Sequence, residues 1–158
     1  MPTSIRRLAA ALALTLTAFA PAALAQPQEC EGAPSGARLI ISVDGVRAAQ
    51  GYIVASLYGP DRRRFLADHQ EMVSWKIPAQ AGSTTLCIYL PQPGPYEVAV
   101  FHDANANGRV DRDLIGRPRE AYGFSNNVRP VLHKPSMESA RFEAASGDTH
   151  LHIRLLYP

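Results

Sequence analysis

The sequence predicts an all-β domain built as a two-sheet sandwich. Two observations carry this: apolar residues recur with a period of two, and no stretch sustains a helical apolar repeat. Turn residues separate the apolar runs at the spacing of an all-β chain. The first predicted strand, Arg38 to Val43, is ended by the Asp44-Gly45 turn signal. Gly51 to Tyr58 follows, with Ile53, Ala55 and Leu57 on one face. Val73, Trp75 and Ile77 alternate with Ser74 and Lys76. Thr84 to Leu90 is the fourth strand, closed by the turn Pro91 to Pro95. Tyr96 to His102 is apolar on both faces apart from Glu97, the pattern of a central strand. Met137 to Ala144 and Thr149 to Tyr157 complete seven strands, joined by Ser146-Gly147-Asp148. A short helical turn is expected at Phe65 to His69. The two long connections, Gly59 to Met72 and Asp103 to about Pro135, are of the kind that carries function.

The N-terminus reads as an export signal. Arg6 and Arg7 precede an apolar run from Leu8 to Ala20, and Ala23-Leu24-Ala25 supplies a small-x-small cleavage pattern. The run is shorter than the roughly 20 residues that span a bilayer. The chain therefore divides into a signal peptide at 1–25, a tail at 26–36 and a β domain at 37–158, with no transmembrane segment expected after cleavage. The 158-residue chain has 16 Lys+Arg and 14 Asp+Glu, and removing Arg6 and Arg7 leaves 14 of each sign. A neutral domain lacks the positive footprint of a nucleic-acid binder. Export to the periplasm or beyond also makes Cys30 and Cys87, the only two cysteines, an expected disulfide. With Leu86, Ile88 and Leu90 facing the core, Cys87 faces outward, and the bridge should tie the tail across that outer face.

The second long connection opens with Asp103-Ala104-Asn105-Ala106-Asn107-Gly108-Arg109-Val110-Asp111, a D-x-N-x-N-G-x-x-D pattern. Oxygens of Asp103, Asn105, Asn107 and Asp111, with the Arg109 carbonyl, suit calcium, which takes six to eight oxygen ligands. Gly108 permits the sharp turn, and the all-oxygen set with amide ligands suits calcium better than Mg²⁺. The position where a bidentate Glu usually closes such a loop is Leu114, so Asp113 or Glu120 must complete it. With few carboxylates, affinity is expected on the order of 10⁻⁴ to 10⁻³ M. The alternative is an Asx-rich turn whose side chains bond their own backbone. A bound ion would order the connection and present Tyr122, Phe124, Asn126 and Asn127 as a ligand surface, with His102 bonding a ligating carboxylate from behind.

The run Gly94-Pro95-Tyr96-Glu97-Val98-Ala99-Val100-Phe101-His102-Asp103, then Asn105, Asn107-Gly108, Asp111, Gly116-Arg117-Pro118-Arg119-Glu120 and Tyr122-Gly123-Phe124-Ser125-Asn126-Asn127, resembles the bacterial family known as domain of unknown function 2141. The resemblance implies an exported bacterial protein with an immunoglobulin-like or transthyretin-like sandwich and no assigned activity. It also implies that Glu120 belongs to the site. Glu97 departs from the pattern, which carries a small residue there.

Other candidates read as scaffold. His150 and His152 share a polar strand face with Arg154 and lack a third metal ligand. Arg62-Arg63-Arg64 is flanked by Asp61 and Asp68 and reads as a solvated loop. No nucleophile motif or phosphate-cradling loop is present, and Ser125 has no evident base. The expected function is a non-catalytic binding or structural module for a protein, glycan or small-molecule partner. The rival is a small periplasmic carrier or hydrolase using the cleft beside Tyr122 to Asn127.

Overall fold

The structure is a computed structural model that describes residues 29–130 and 133–158. The proposed signal peptide lies outside these residues. Among the described residues the chain is all-β, with two sheets, one single-turn α-helix and a short 3-10 turn at Ser125–Asn127. The strands are β1 (Ala37–Val46), β2 (Tyr52–Tyr58), β3 (Val73–Pro78), β4 (Gly82–Tyr89), β5 (Gly94–Asp103), β6 (Tyr122–Phe124), β7 (Phe142–Ala144) and β8 (Gly147–Arg154). One sheet has the order β4-β1-β8, with β1 antiparallel to β4 and parallel to β8. The other has the order β3-β2-β5-β6, and β7 pairs with the opening residues of β5.

One apolar core lies between the sheets. Leu39, Ile41, Val43, Leu86, Ile88 and Ile153 come from the three-stranded sheet. Ile53, Ala55, Leu57, Val98 and Val100 meet them from the five-stranded sheet. Every one of these positions follows from the period-two pattern, which sends alternate side chains to one face. Trp75 and Ile77 pack on the same core from β3, partly buried. Among the described residues no helix is long and apolar enough to cross a membrane.

The architecture departs from the sequence reading in five places, one of them β8, which opens at Gly147 inside the expected turn, because Gly147 and Asp148 pair with Ala37 and Arg38 of β1, and ends at Arg154, short of Tyr157. The first strand continues through Asp44-Gly45 to Val46, because Gly45 takes φ +82° and forms a bulge where a turn was expected. Tyr122–Phe124 is an eighth strand inside the segment read as pure connection. Met137 to Ala144 is not continuous: Met137–Ala140 forms a helical turn, α1, whose Ser136 side chain accepts from the Ser139 amide, and β7 starts only at Phe142. At Phe65 to His69 there are successive hydrogen-bonded turns but no helix, since Leu66 and His69 both have φ +55°.

Cys30 and Cys87 form the expected disulfide. Cys87 does face away from the core, yet the tail does not cross the outer face. It runs along the free edge of β4, where the Glu31 amide donates to the Cys87 carbonyl and the Tyr89 amide donates to Glu31. The bridge closes a sequence separation of 57 residues. Cys30→Ser should therefore lower stability by about 4 kcal/mol in the chain-entropy estimate, read as a fall in urea midpoint with a steeper slope, since the unlinked denatured chain expands.

Glu97, on the outer face of β5, is fully buried. Its Oε1 accepts from Arg141 Nε at 3.0 Å, while Oε2 has no hydrogen-bond partner among the described residues. Burial raises its carboxyl pKa, and the Arg141 hydrogen bond and charge only partly oppose that. A raised acid stabilises the fold when protonated, so the gain is present at low pH and is lost as pH rises through the folded-state value. The melting temperature of the wild type minus that of Glu97→Gln should therefore become more positive as pH falls from 7 toward 5.

Candidate functional site

Along β5 the outward-facing residues are Glu97, Ala99, Phe101 and Asp103, set in line by the two-residue period. Asp103 ends the strand and opens the oxygen-rich loop. Its carboxylate is fully buried: Oδ1 accepts from the Asn107 amide and Oδ2 from the Gly108 amide, each at 2.9 Å. Lys76 Nζ stands 3.5 Å from Asp103 Oδ2 and 4.2 Å above the Tyr52 ring. The turn is set by Ala106 at φ +61° and Gly108 at φ +78°.

Five of the predicted oxygen side chains gather here. Asn105 and Asn107 donate their side-chain amides to the two oxygens of Asp111, at 2.7 and 2.9 Å. Those bonds, the Asn107 one first, hold the Asp111 carboxyl below its usual pKa. Asn105 Oδ1 accepts from the Asn107 amide and Asn107 Oδ1 from that of Arg109. Glu120 returns to the loop, accepting from the Ala104 amide through Oε1 and from the Asp111 amide through Oε2. The return is made by a hairpin in which Asp113 and Arg117 pair backbones, Arg119 donates to Asp111, and Gly116 turns with φ +83°.

Asp113 is turned out of the group. Its oxygens accept from the Ile115 and Arg117 amides and from Arg117 Nε, and the Arg117 contacts hold its pKa low. Glu120, not Asp113, is thus the acid beside the loop. Arg109 is exposed, leaving only its backbone as a contributor. The donor chemistry fits calcium, with three carboxylates, two amide oxygens and a carbonyl. As found, the loop is satisfied by hydrogen bonds. Among the described residues no three His, Cys, Asp or Glu side chains stand together at metal-binding spacing. Ligation requires both Asn amides to turn their oxygens inward and release Asp111.

His102 does not reach the carboxylates. Neighbouring residues of a strand face opposite ways, so the buried His102 ring points from Asp103 toward the core side, where Nε2 is 2.7 Å from the Gln50 carbonyl. Asn126 and Asn127 are likewise engaged with backbone. Asn126 donates to the Ser139 and Arg141 carbonyls, and Asn127 donates to His152 while accepting from the Arg154 amide. Both act as staples between the β6 end and its neighbours. Ser125 is buried, accepts from the Val98 amide and bonds the Ala140 carbonyl, with no basic partner. His150 and His152 are exposed on β8.

Tyr122 and Phe124 have a different setting. With Ala99, Phe101 and Ser56 they form the floor of a cavity of about 1130 Å³ on the outer face of the five-stranded sheet. The Arg112–Arg119 hairpin supplies one wall, and the 59–72 connection and residues near Lys134 supply others. Leu114 and Ile115 at the hairpin tip are exposed. Sequence reasoning missed this wall and missed Lys76. Both depend on contacts between segments far apart in the chain, and only the outward position of Lys76 in the β3 alternation hinted at its role.

The loop's first residue is also fixed from beneath. A Cβ on Gly51, which has φ +68°, would fall 2.0 Å from the Asp103 carbonyl oxygen. Gly51→Ala should destabilise the protein by more than about 2 kcal/mol in thermal or chemical denaturation, since both the backbone conformation and the space are lost.

Residues 41–152 match a family described as uncharacterized protein conserved in bacteria (DUF2141). The match begins inside β1 and ends inside β8, so it takes in both sheets, the oxygen-rich loop and the cavity wall. Comparisons with curated proteins and with solved structures return no significant match. The chain belongs to this family, DUF2141, of uncharacterized bacterial proteins.

Proposed function

We propose that this protein is an exported, non-catalytic binding module in which a weakly held calcium ion orders the wall of a ligand cavity. On this reading residues 1–25 direct it to the periplasm or beyond, and the two sheets form an immunoglobulin-like or transthyretin-like sandwich. The observation that carries the reading is continuity. The segment 103–120 holds the oxygen-rich loop at its start, Glu120 at its end, and the cavity wall Arg112–Arg119 between them. Fixing the two ends of a hairpin fixes what lies between, and an unordered segment of this length costs entropy to position.

Asp103, Asn105, Asn107, Asp111 and Glu120, with the Arg109 carbonyl, would hold the ion. Calcium would supply charge compensation for three carboxylates, of which Asp103 has Lys76 nearby, Asp111 has the two Asn amides and Glu120 has backbone amides alone. The cavity, floored by aromatic side chains, favours the small-ligand form of the module over a purely structural role. Among the described residues of the cavity none forms a nucleophile–base pair, which supports binding without turnover.

Calorimetry on chelator-stripped protein should show one calcium site in the 10⁻⁴ to 10⁻³ M range, roughly that of extracellular modules, with a rise in melting temperature at millimolar calcium. Asp111→Asn should weaken that binding about tenfold or more while leaving the calcium-free melting temperature within a few degrees. Absence of both heat and melting shift at millimolar calcium would show the loop to be a metal-free Asx turn.

A further inference from the structure

The oxygen-rich loop already has a cation of the chain's own. Asp103 is fully buried, and its two oxygens accept from the Asn107 and Gly108 amides. Lys76 Nζ stands 3.5 Å from Oδ2 of the same carboxylate. Among the described residues this is the sole ion pair made by Asp103, Asp111 or Glu120. Arg109 and Arg119 carry their charges near Asp111 but make no ion pair with it.

The register of the five-stranded sheet brings Lys76 there. Lys76 of β3 pairs with Val54 of β2, and Tyr52, two residues before Val54, pairs with Asp103 of β5. The lysine of the edge strand thus reaches diagonally over β2 to a carboxylate two strands away. Tyr52 lies under that reach, its ring 4.2 Å from the ammonium, and the face of an aromatic ring attracts a cation. A carboxylate buried as deeply as Asp103 needs both donors and an opposite charge. The two backbone amides supply the donors, and Lys76 supplies the charge. A divalent ion ligated by Asp103 would stand within several ångströms of the ammonium, and two cations about one carboxylate repel each other.

We propose that Lys76 is the resident cation of the loop: it holds Asp103 and the turn that follows in the metal-free protein, and calcium enters only against its charge. The affinity of the loop is then set from β3 as well as by the number of its carboxylates. The lysine keeps the loop metal-free until calcium is abundant, which suits a site of the weak extracellular kind. The inference rests on the reading of the loop as a calcium site and adds the residue that regulates it.

The test combines calcium calorimetry with amide exchange followed by NMR, on the full-length protein and on Lys76→Met, Lys76→Arg and Arg64→Gln. Arg64 is exposed in the connection that leaves the far end of β2, so its loss removes one positive charge away from the loop. Lys76→Met should bind calcium about tenfold more tightly than the wild type, while Lys76→Arg and Arg64→Gln stay within about twofold of it. A merely structural lysine would give the opposite sign, since a loosened loop binds calcium less well. In chelator, the Asn107 and Gly108 amides should exchange about tenfold faster in Lys76→Met and near the wild-type rate in Lys76→Arg. The Lys76 side chain is 40% exposed on an edge strand, so the Met variant should fold, and Lys76→Gln gives the same readings if it does not. Unchanged amide exchange, an equal gain in Arg64→Gln, or calcium affinity in Lys76→Met no tighter than in the wild type would overturn the assignment and leave the calcium reading standing. Calcium heat in neither protein sinks the calcium reading, and faster exchange in Lys76→Met then still supports the lysine as the cation of the loop.

Discussion

Everything in this molecule is organised around β5, a strand covered on both faces. Inward, Val98 and Val100 enter the core shared by the two sheets. Outward, four successive positions of the same period each meet a different environment. Glu97 is closed over by Arg141, Ala99 and Phe101 floor the cavity, and Asp103 anchors the oxygen-rich loop. The constraint is geometric: a strand advances about 3.3 Å per residue, so these features are bound to one another at fixed separation. A one-residue slip of β5 against β2 would turn all four inward and put the valines outside.

That constraint explains why the outer layer is made of connections and not of a third sheet. A buried backbone needs its hydrogen bonds satisfied, and loops do this only with side chains or turns. The layer here is rich in both. Asp113 closes the hairpin turn, Asn126 and Asn127 bind carbonyls and an amide of neighbouring segments, and Ser125 Oγ serves the Val98 amide. Side chains that looked like ligand-facing groups are therefore the fastenings of the layer.

The sequence was legible where a rule acts locally. Alternation located the core faces of β2 to β4, and the D-x-N-x-N-G-x-x-D spacing located the loop whose side chains do gather. Legibility failed where the deciding partner is remote. Tyr122–Phe124 is three residues long, and only pairing with Ala99 to Phe101 makes it a strand. Met137–Ala140 sets its two apolar residues three apart, a helical spacing too short to stand out in the sequence, and the Ser136 cap makes it a helical turn. The choice between Asp113 and Glu120 depended on whether Arg117 would claim the nearer acid, which it does. Glu97 looked misplaced in an apolar strand because its partner, Arg141, is 44 residues away.

The N-terminal tail carries one more consequence. A three-stranded sheet exposes two edges, and an open edge is a template for any other extended chain. On one side β8 presents alternating His150, His152 and Arg154, polar groups that discourage a neighbour. On the other, β4 would be bare but for the short parallel pairing of Glu31 with Ile88. That pairing is too small to persist unaided, and the sulfur bridge one residue before it turns a passing contact into a permanent one. The disulfide thus guards the protein's solitude as well as its stability: where thiols are oxidised the sheet is sealed, and where they are reduced it offers a vacancy that a second chain can fill.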